Sequence, residues 1–317
     1  MTRRYQVTHR TEYRYDHPVV AGHTIARVVP RRLSHQRVTA ADVRVLPIPT
    51  HSHTHQDGLG NRVTYVAVDA PHERLEVTAT STVEVAPRAV PGGAWLAPWE
   101  DAAAATADDL SDDGLLARLC RLDSPLVPRH ADLRAVAATE FTPGRTLGEA
   151  AAALTVRIQE AFEFVPGATD VTTPVRQVVA DRRGVCQDFA HVLLGALRSL
   201  GLGARYVSGY LETAPPPGLP RLVGADASHA WVGLYVPGGG WVDRNIRNGT
   251  LNFRNDIARY HVTFTWRDED DLFGLVRQAA PFEGLSRRDV DDVVELVSEG
   301  VTTGRGKRAA YLHRDRV

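Results

Sequence analysis

The sequence predicts an α+β chain: an N-terminal all-β, sandwich-like domain followed by a core of helices packed on an antiparallel sheet. Three observations lead there. From Tyr5 to Tyr15 every second residue faces one side, and further short strand-like runs separated by turn clusters continue to Pro87 with no helical period. Between Phe189 and Leu200 apolar residues recur with helical spacing, and beyond Gly203 the period of two returns.

The first domain is assigned to residues 1–87. Tyr5, Val7, His9, Thr11, Tyr13 and Tyr15 alternate with charged or polar residues, the pattern of a half-buried strand. Further strands are expected around 37–46, 62–68 and 74–85, with Asp57-Gly58-Leu59-Gly60-Asn61 as a turn. His51, His53 and His55 would share a face if extended, which would suit a metal. They stand in a turn-rich stretch without a carboxylate or thiolate partner, so loop histidines are expected and no metal is assigned.

Residues 88–114, rich in Pro, Gly, Ala and Asp, read as a linker. The core follows over 115–275. Thr146-Leu147-Gly148-Glu149 is a capping box opening a helix with Leu147, Ala151, Leu154 and Ile158 on one face. Thr173-Pro174 starts a short helix. A third helix carries Phe189, Val192, Leu193, Ala196, Leu197 and Leu200 as one apolar stripe, and Gly201 stands where a left-handed cap belongs. Strands are expected at 204–211, at 228–236, from Trp241, and at 255–266. A helix at 286–298 and a basic tail from Gly304 make up the last segment, 276–317.

Composition narrows the class. With 43% hydrophobic and 24% charged residues the chain reads as globular, and no apolar run is long enough to span a bilayer. Two cysteines are too few for a disulfide framework, and the N-terminus lacks the apolar segment of a signal peptide. A reducing, cytoplasmic setting is therefore expected. A net charge of −1 gives no global field for nucleic acid or a membrane surface. The arginines of the first fifty residues, Arg10, Arg14, Arg37 and Arg44 among them, are expected to form a solvated face rather than an anion site.

The chemistry concentrates at Cys186. It lies three residues before Phe189, so it continues the apolar stripe at the first turn of its helix. A thiol there sits near unpaired backbone N–H groups and the positive end of the helix dipole. Such positions, or a nearby imidazolium, lower a cysteine pKa from about 8.5 to roughly 3.5–7.5. Downstream, His229 opens a strand and a hairpin carries Asp243 and Asn245, which completes the parts of a Cys–His–acid or Cys–His–amide site.

Gly184-Val185-Cys186-Gln187-Asp188-Phe189-Ala190, Ala204-Arg205-Tyr206-Val207-Ser208-Gly209-Tyr210 and Asp226-Ala227-Ser228-His229-Ala230-Trp231 resemble the bacterial transglutaminase-like proteins of the papain-like cysteine-enzyme superfamily. Tyr5–Tyr13 and Asp57–Asn61 resemble the β domain that accompanies that core. The resemblance implies Cys186 as nucleophile and His229 as base. It also implies an acid in a Gly-Trp, spacer, Asp-Pro-Thr-Asn-Gly pattern, and here the chain departs. Gly240-Trp241-Val242-Asp243-Arg244-Asn245-Ile246-Arg247-Asn248-Gly249 puts Asn245 in the acid's slot, with Asp243 two residues earlier. Asn245 is favoured as the third member, and a bulge would be needed to bring in Asp243.

The activity this implies is acyl transfer. Cys186 would attack a carboxamide or peptide carbonyl and form a thioester, and water or an amine would then accept the acyl group. Its partners would be a peptide, protein or small amide donor and an optional amine acceptor, with no cofactor. The backbone N–H of Cys186 would supply one oxyanion donor, and a second is not evident from sequence. The alternative is a catalytically impaired relative that binds a peptide or partner.

Overall fold

The computed structural model describes residues 2–87, 93–170, 172–211, 228–244 and the strand 261–267. The expected helix at 286–298, the basic tail and Asn245 lie outside the described residues. Two compact units emerge, one holding the chain up to Ala86 and the other spanning Pro87–Glu269.

The N-terminal unit contains β1 (Arg3–Val19), β2 (Gly22–Ala26), β3 (Gln36–Leu46), β4 (His51–Gln56), β5 (Arg62–Val68) and β6 (His72–Val85). They form two antiparallel three-stranded sheets, ordered β1-β6-β3 and β2-β5-β4. Ala26, Val66 and Val68 from one sheet meet Val45, Leu75 and Val77 from the other, which makes this an apolar sandwich. The alternation in β6 is strict, with Leu75, Val77, Ala79, Ser81, Val83 and Val85 buried.

Two expectations for this unit are met differently. Arg10, Arg14, Arg37 and Arg44 do face solvent, several in a cross-strand ladder of ion pairs, but Arg31 of the same segment is buried and donates to the Leu59 carbonyl at 2.7 Å and to Asn61 Oδ1 at 2.6 Å. Arg10 reaches Glu76 at 2.7 Å, and Arg74 reaches Glu12 at 2.9 Å and Glu76 at 2.8 Å. These pairs neutralise one another on the exposed sheet face. His51, His53 and His55 are not loop residues: they belong to β4, held in register opposite Ala67, Tyr65 and Val63. His53 and His55 stack at 5.6 Å, and His23 bonds the Tyr65 hydroxyl at 2.7 Å. No three His, Cys, Asp or Glu side chains among the described residues are arranged to hold a metal.

The second unit begins with a 3₁₀ turn, Gly93–Trp95, then α1 (Trp99–Asp108), α2 (Asp112–Leu119), α3 (Ala131–Ala138) and α4 (Leu147–Ala161). Residues 99–108 fall in the segment expected as linker, yet their alanine-rich run is helical and buries Ala102 and Thr106. Alanine's helix propensity outweighs the loop-like flanks once a core is present to cover one face. Thr146 caps α4, with a side-chain bond in place of the second, backbone half of the expected box. Thr146 Oγ1 accepts from the Glu149 N–H at 3.3 Å and donates to the Glu149 carboxylate at 2.8 Å.

Next come β7 (Glu163–Phe164), α5 (Val175–Asp181), β8 (Arg183–Gly184) and α6 (Cys186–Ser199). The sheet that follows contains β9 (Ala204–Leu211), β10 (His229–Val236), β11 (Gly240–Arg244) and β12 (His261–Arg267), antiparallel in the order β11-β10-β9-β12. Every residue of α6 from Asp188 to Arg198 is buried, not one stripe alone. The sheet covers one side, while Leu133 of α3 and Val127 cover the other so closely that a Cβ on Gly195 would stand 2.6 Å from Leu133 Cδ1. Gly201 closes the helix at φ +79°, the left-handed cap expected there. Ala230, Val232, Leu234 and Val236 turn toward α6 and join Phe189, Leu193 and Leu197 in the main core.

Candidate active site

Three consecutive steps of the chain set the first turn of α6. Arg182 ends α5 in the left-handed region at φ +51°, with its N–H on the Val178 carbonyl at 2.9 Å. Gly184 then pairs in parallel with Phe164, and Val185 is the extended residue before the helix. The buried Asp188 carboxylate reaches back to cap this turn. Its Oδ2 accepts from the Val185 N–H at 2.7 Å and from the Thr169 hydroxyl at 2.5 Å. An acid at the third helical position serves here as an N-terminal cap and complements the helix dipole. It also explains Gly184, where a Cβ would lie 2.6 Å from Asp188 Oδ2.

Cys186 thereby opens α6 with a half-buried side chain. Its sulfur is approached by three backbone N–H groups: those of Ala230, Gln187 and Cys186 itself. The thiol pKa is nevertheless raised. Burial is the largest cause and the Asp188 charge adds to it, while the three N–H groups pull the other way. Sequence position alone suggests a lowered value. The outcome reverses because apolar neighbours desolvate the sulfur more than the helix end stabilises its anion.

His229 stands immediately before Ala230, and the Ala230 N–H meets the Cys186 sulfur. This places the histidine's strand position beside the N-terminus of α6. Its Nδ1 lies 3.0 Å from the Ala230 carbonyl oxygen. A carbonyl can only accept, so in this contact Nδ1 carries the hydrogen and Nε2 keeps the basic lone pair of the neutral ring. One residue, Ala230, thus contributes a main-chain donor to the thiol and a main-chain acceptor to the imidazole.

Asp243 goes elsewhere. β10 and β11 pair without interruption from Val236↔Gly240 to Val232↔Arg244, which sets Asp243 opposite Gly233. Four residues separate Gly233 from His229, roughly 13 Å along a strand. Asp243 Oδ1 instead lies 3.4 Å from where a Gly233 Cβ would be, in the row of Arg205. No bulge brings it toward His229 over the described length of β11. Beyond the expected residues, the structure adds Asp188 as the cap of α6 and the Ala230 main chain as a partner of the Cys186 sulfur. The first could have been found as an acid at the third helical position. The second had no signature, because any residue other than proline supplies an N–H.

A cysteine at a helix N-terminus against an antiparallel sheet strand that opens with a histidine, with a β sandwich earlier in the chain, is a papain-like, transglutaminase-type architecture. Residues 5–84 match the bacterial transglutaminase-like N-terminal region, and residues 134–246 match the transglutaminase-like superfamily. The chain belongs to the bacterial transglutaminase-like family. An uncharacterized protein of Mycobacterium tuberculosis is 42% identical over 242 residues, 74% of this chain and 74% of its own. One from Mycobacterium leprae is 31% identical over 297 residues, covering 92% of this chain and 98% of its own. In fold, a Cytophaga hutchinsonii crystal structure named a "Putative Cysteine Protease" superposes with a TM-score of 0.60, at 19% identity and 84% coverage of both chains. No helix among the described residues is long and apolar enough to cross a membrane.

Proposed function

We propose that the protein is a cysteine-dependent acyl-transfer enzyme acting on a carboxamide or peptide bond. The observation supporting this most directly is the sulfur of Cys186 at the mouth of α6, against the Ala230 N–H and next to His229. His229 accepts the thiol proton as the thiolate adds to the carbonyl carbon and the C–S bond forms. The oxyanion takes hydrogen bonds from main-chain N–H groups around the sulfur, those of Cys186 and Gln187 on the helix and Ala230 on the sheet being the candidates. Collapse breaks the C–N bond, and the imidazolium returns its proton to the departing amine. Water or an amine then attacks the thioester, giving a proton to His229 while the sulfur leaves as thiolate and is reprotonated.

Asn245 is our choice for the residue that orients His229, because the register takes Asp243 toward Gly233. An amide in this role suits a Cys–His pair, as Cys–His–Asn enzymes illustrate. A reducing, cytoplasmic setting fits a sequence with only two cysteines.

Intact-mass analysis with a panel of acyl donors, with and without primary amines, tests the assignment. A covalent acyl adduct should form on the wild type and be absent from Cys186→Ala, and the product will carry water or amine. A wild type that never acquires an adduct, with Cys186 no more reactive to iodoacetamide than the buried Cys120, refutes it and favours a binding module.

A further inference from the structure

Phe164 leaves 42% of its surface open to solvent and is the one phenylalanine among the exposed large apolar side chains of the described residues. A single exposed hydrophobic is ordinary by itself. What distinguishes this one is its fixed place on the first turn of α6. β7 pairs in parallel with β8 so that Phe164 stands opposite Gly184. The Glu163 N–H meets the Arg182 carbonyl at 2.8 Å, and the Val165 N–H meets the Gly184 carbonyl at 3.0 Å. Residues paired this way turn their side chains to the same face. A Cβ on Gly184 would run into the Asp188 side chain, so Phe164 is turned toward that same helical turn. Its ring meets the Phe189 ring edge-on at 6.4 Å, and Phe189 in turn meets the buried Phe162 at 5.9 Å. Three aromatic rings thus lead from the core to the surface, and the outermost touches α6 one turn beyond Cys186. Further along, the Thr169 hydroxyl donates to the Asp188 carboxylate at 2.5 Å, which ties the segment 164–169 to this turn at both ends.

One inter-strand spacing and two residues of chain keep the Phe164 Cα within about 12 Å of the Cys186 Cα. An extended peptide advances about 3.3 Å per residue, so the ring is in range of the donor residue bearing the scissile carbonyl and of the one before it. The ring is already held by its strand and by Phe189, so covering its open face removes apolar surface from water with little further ordering. We propose that Phe164 is the apolar wall of the acyl-donor cleft, so that preferred donors carry an apolar side chain on one of those two residues. This rests on Cys186 being the nucleophile.

Two kinds of probe separate the two ideas, with rates read at Cys186 by peptide mapping. Iodoacetamide has no side chain to seat and reports the nucleophile. Dipeptidyl chloromethyl ketones report the wall: acetyl-phenylalanyl-glycyl and acetyl-glycyl-phenylalanyl forms are compared with the acetyl-diglycyl form. In the folded wild type at least one phenylalanyl probe should react about tenfold faster than the diglycyl probe, a preference absent from denatured chain. Phe164→Ser should lower that preference about fivefold while changing the iodoacetamide rate less than about twofold, and Phe164→Leu should retain most of it. A preference missing from the folded wild type, or unchanged in Phe164→Ser, overturns the wall and leaves the nucleophile standing. Phe164→Gln is held to the same criterion should the serine variant fail to fold. Slow labelling of wild-type Cys186 by iodoacetamide overturns both.

Discussion

Asp188 offers the sharpest test of how the first turn of α6 tunes its sulfur. Its carboxylate accepts from the Val185 N–H and the Thr169 hydroxyl, and its charge raises the Cys186 thiol. Asp188→Asn keeps an acceptor oxygen in nearly the same place and removes the charge. Hydrogen bonds to charged groups contribute about 1.5–3 kcal/mol, against about 0.5–1.5 for neutral ones, so two of them lose roughly 2–3 kcal/mol. Relief of a buried charge offsets some of that, leaving a net loss of about 1–2 kcal/mol. Asp188→Ala also strands both donors and should cost about 3–5 kcal/mol. Urea unfolding of the two variants measures these differences. The thiol answers in the opposite sense. With the carboxylate charge gone, the pH midpoint of iodoacetamide alkylation at Cys186 should fall in Asp188→Asn although the fold is weaker. A midpoint that rises or stays fixed would show that the cap acts on the sulfur only by holding the turn in place, and would refute the electrostatic reasoning.

Three further outcomes follow from the same geometry. His229→Ala removes the group that draws the proton from an already raised thiol. Alkylation at pH 7 should fall by about 10²-fold and recover as pH increases through the thiol's elevated range. Asn245→Ala should cut turnover by about 10²-fold and Asp243→Asn by less than about threefold, measured as kcat on whichever donor the mass screen returns; the reverse order would move the orienting role to Asp243. Gly195→Ala forces a methyl against Leu133 and Val127, and the overpacking should cost about 1–3 kcal/mol by urea unfolding with little effect on Cys186 labelling at native temperatures.

The sequence is most readable where local chemistry decides the outcome. The Thr146 cap, the Gly201 cap and the bounds of β9 depend on residues within one turn or on a single alternating run. It is least readable where distant packing overrides the local pattern. The alanine-rich run after Trp99 looks like linker until the core that covers Ala102 is known. The histidines of β4 look like loop residues until β5 supplies the other half of the ladder. At the site, helix position correctly sets Cys186 at the first turn but gives the wrong direction for its pKa, because desolvation comes from the side chains of other elements. The place of Asp243 depends on pairing register, which alternation along one strand does not fix.

Ala230 has a consequence for how this centre can vary. Cys186 and His229 are both tied to the backbone of one small residue, so most substitutions at 230 leave those ties in place, whereas proline, lacking the N–H, would sever the link to sulfur. Their relative position thus depends on the β10 main chain as well as on the Asp188 side chain that holds the first turn of α6. Remote changes that twist this strand would detune both partners together, and restoring them would require correcting the sheet.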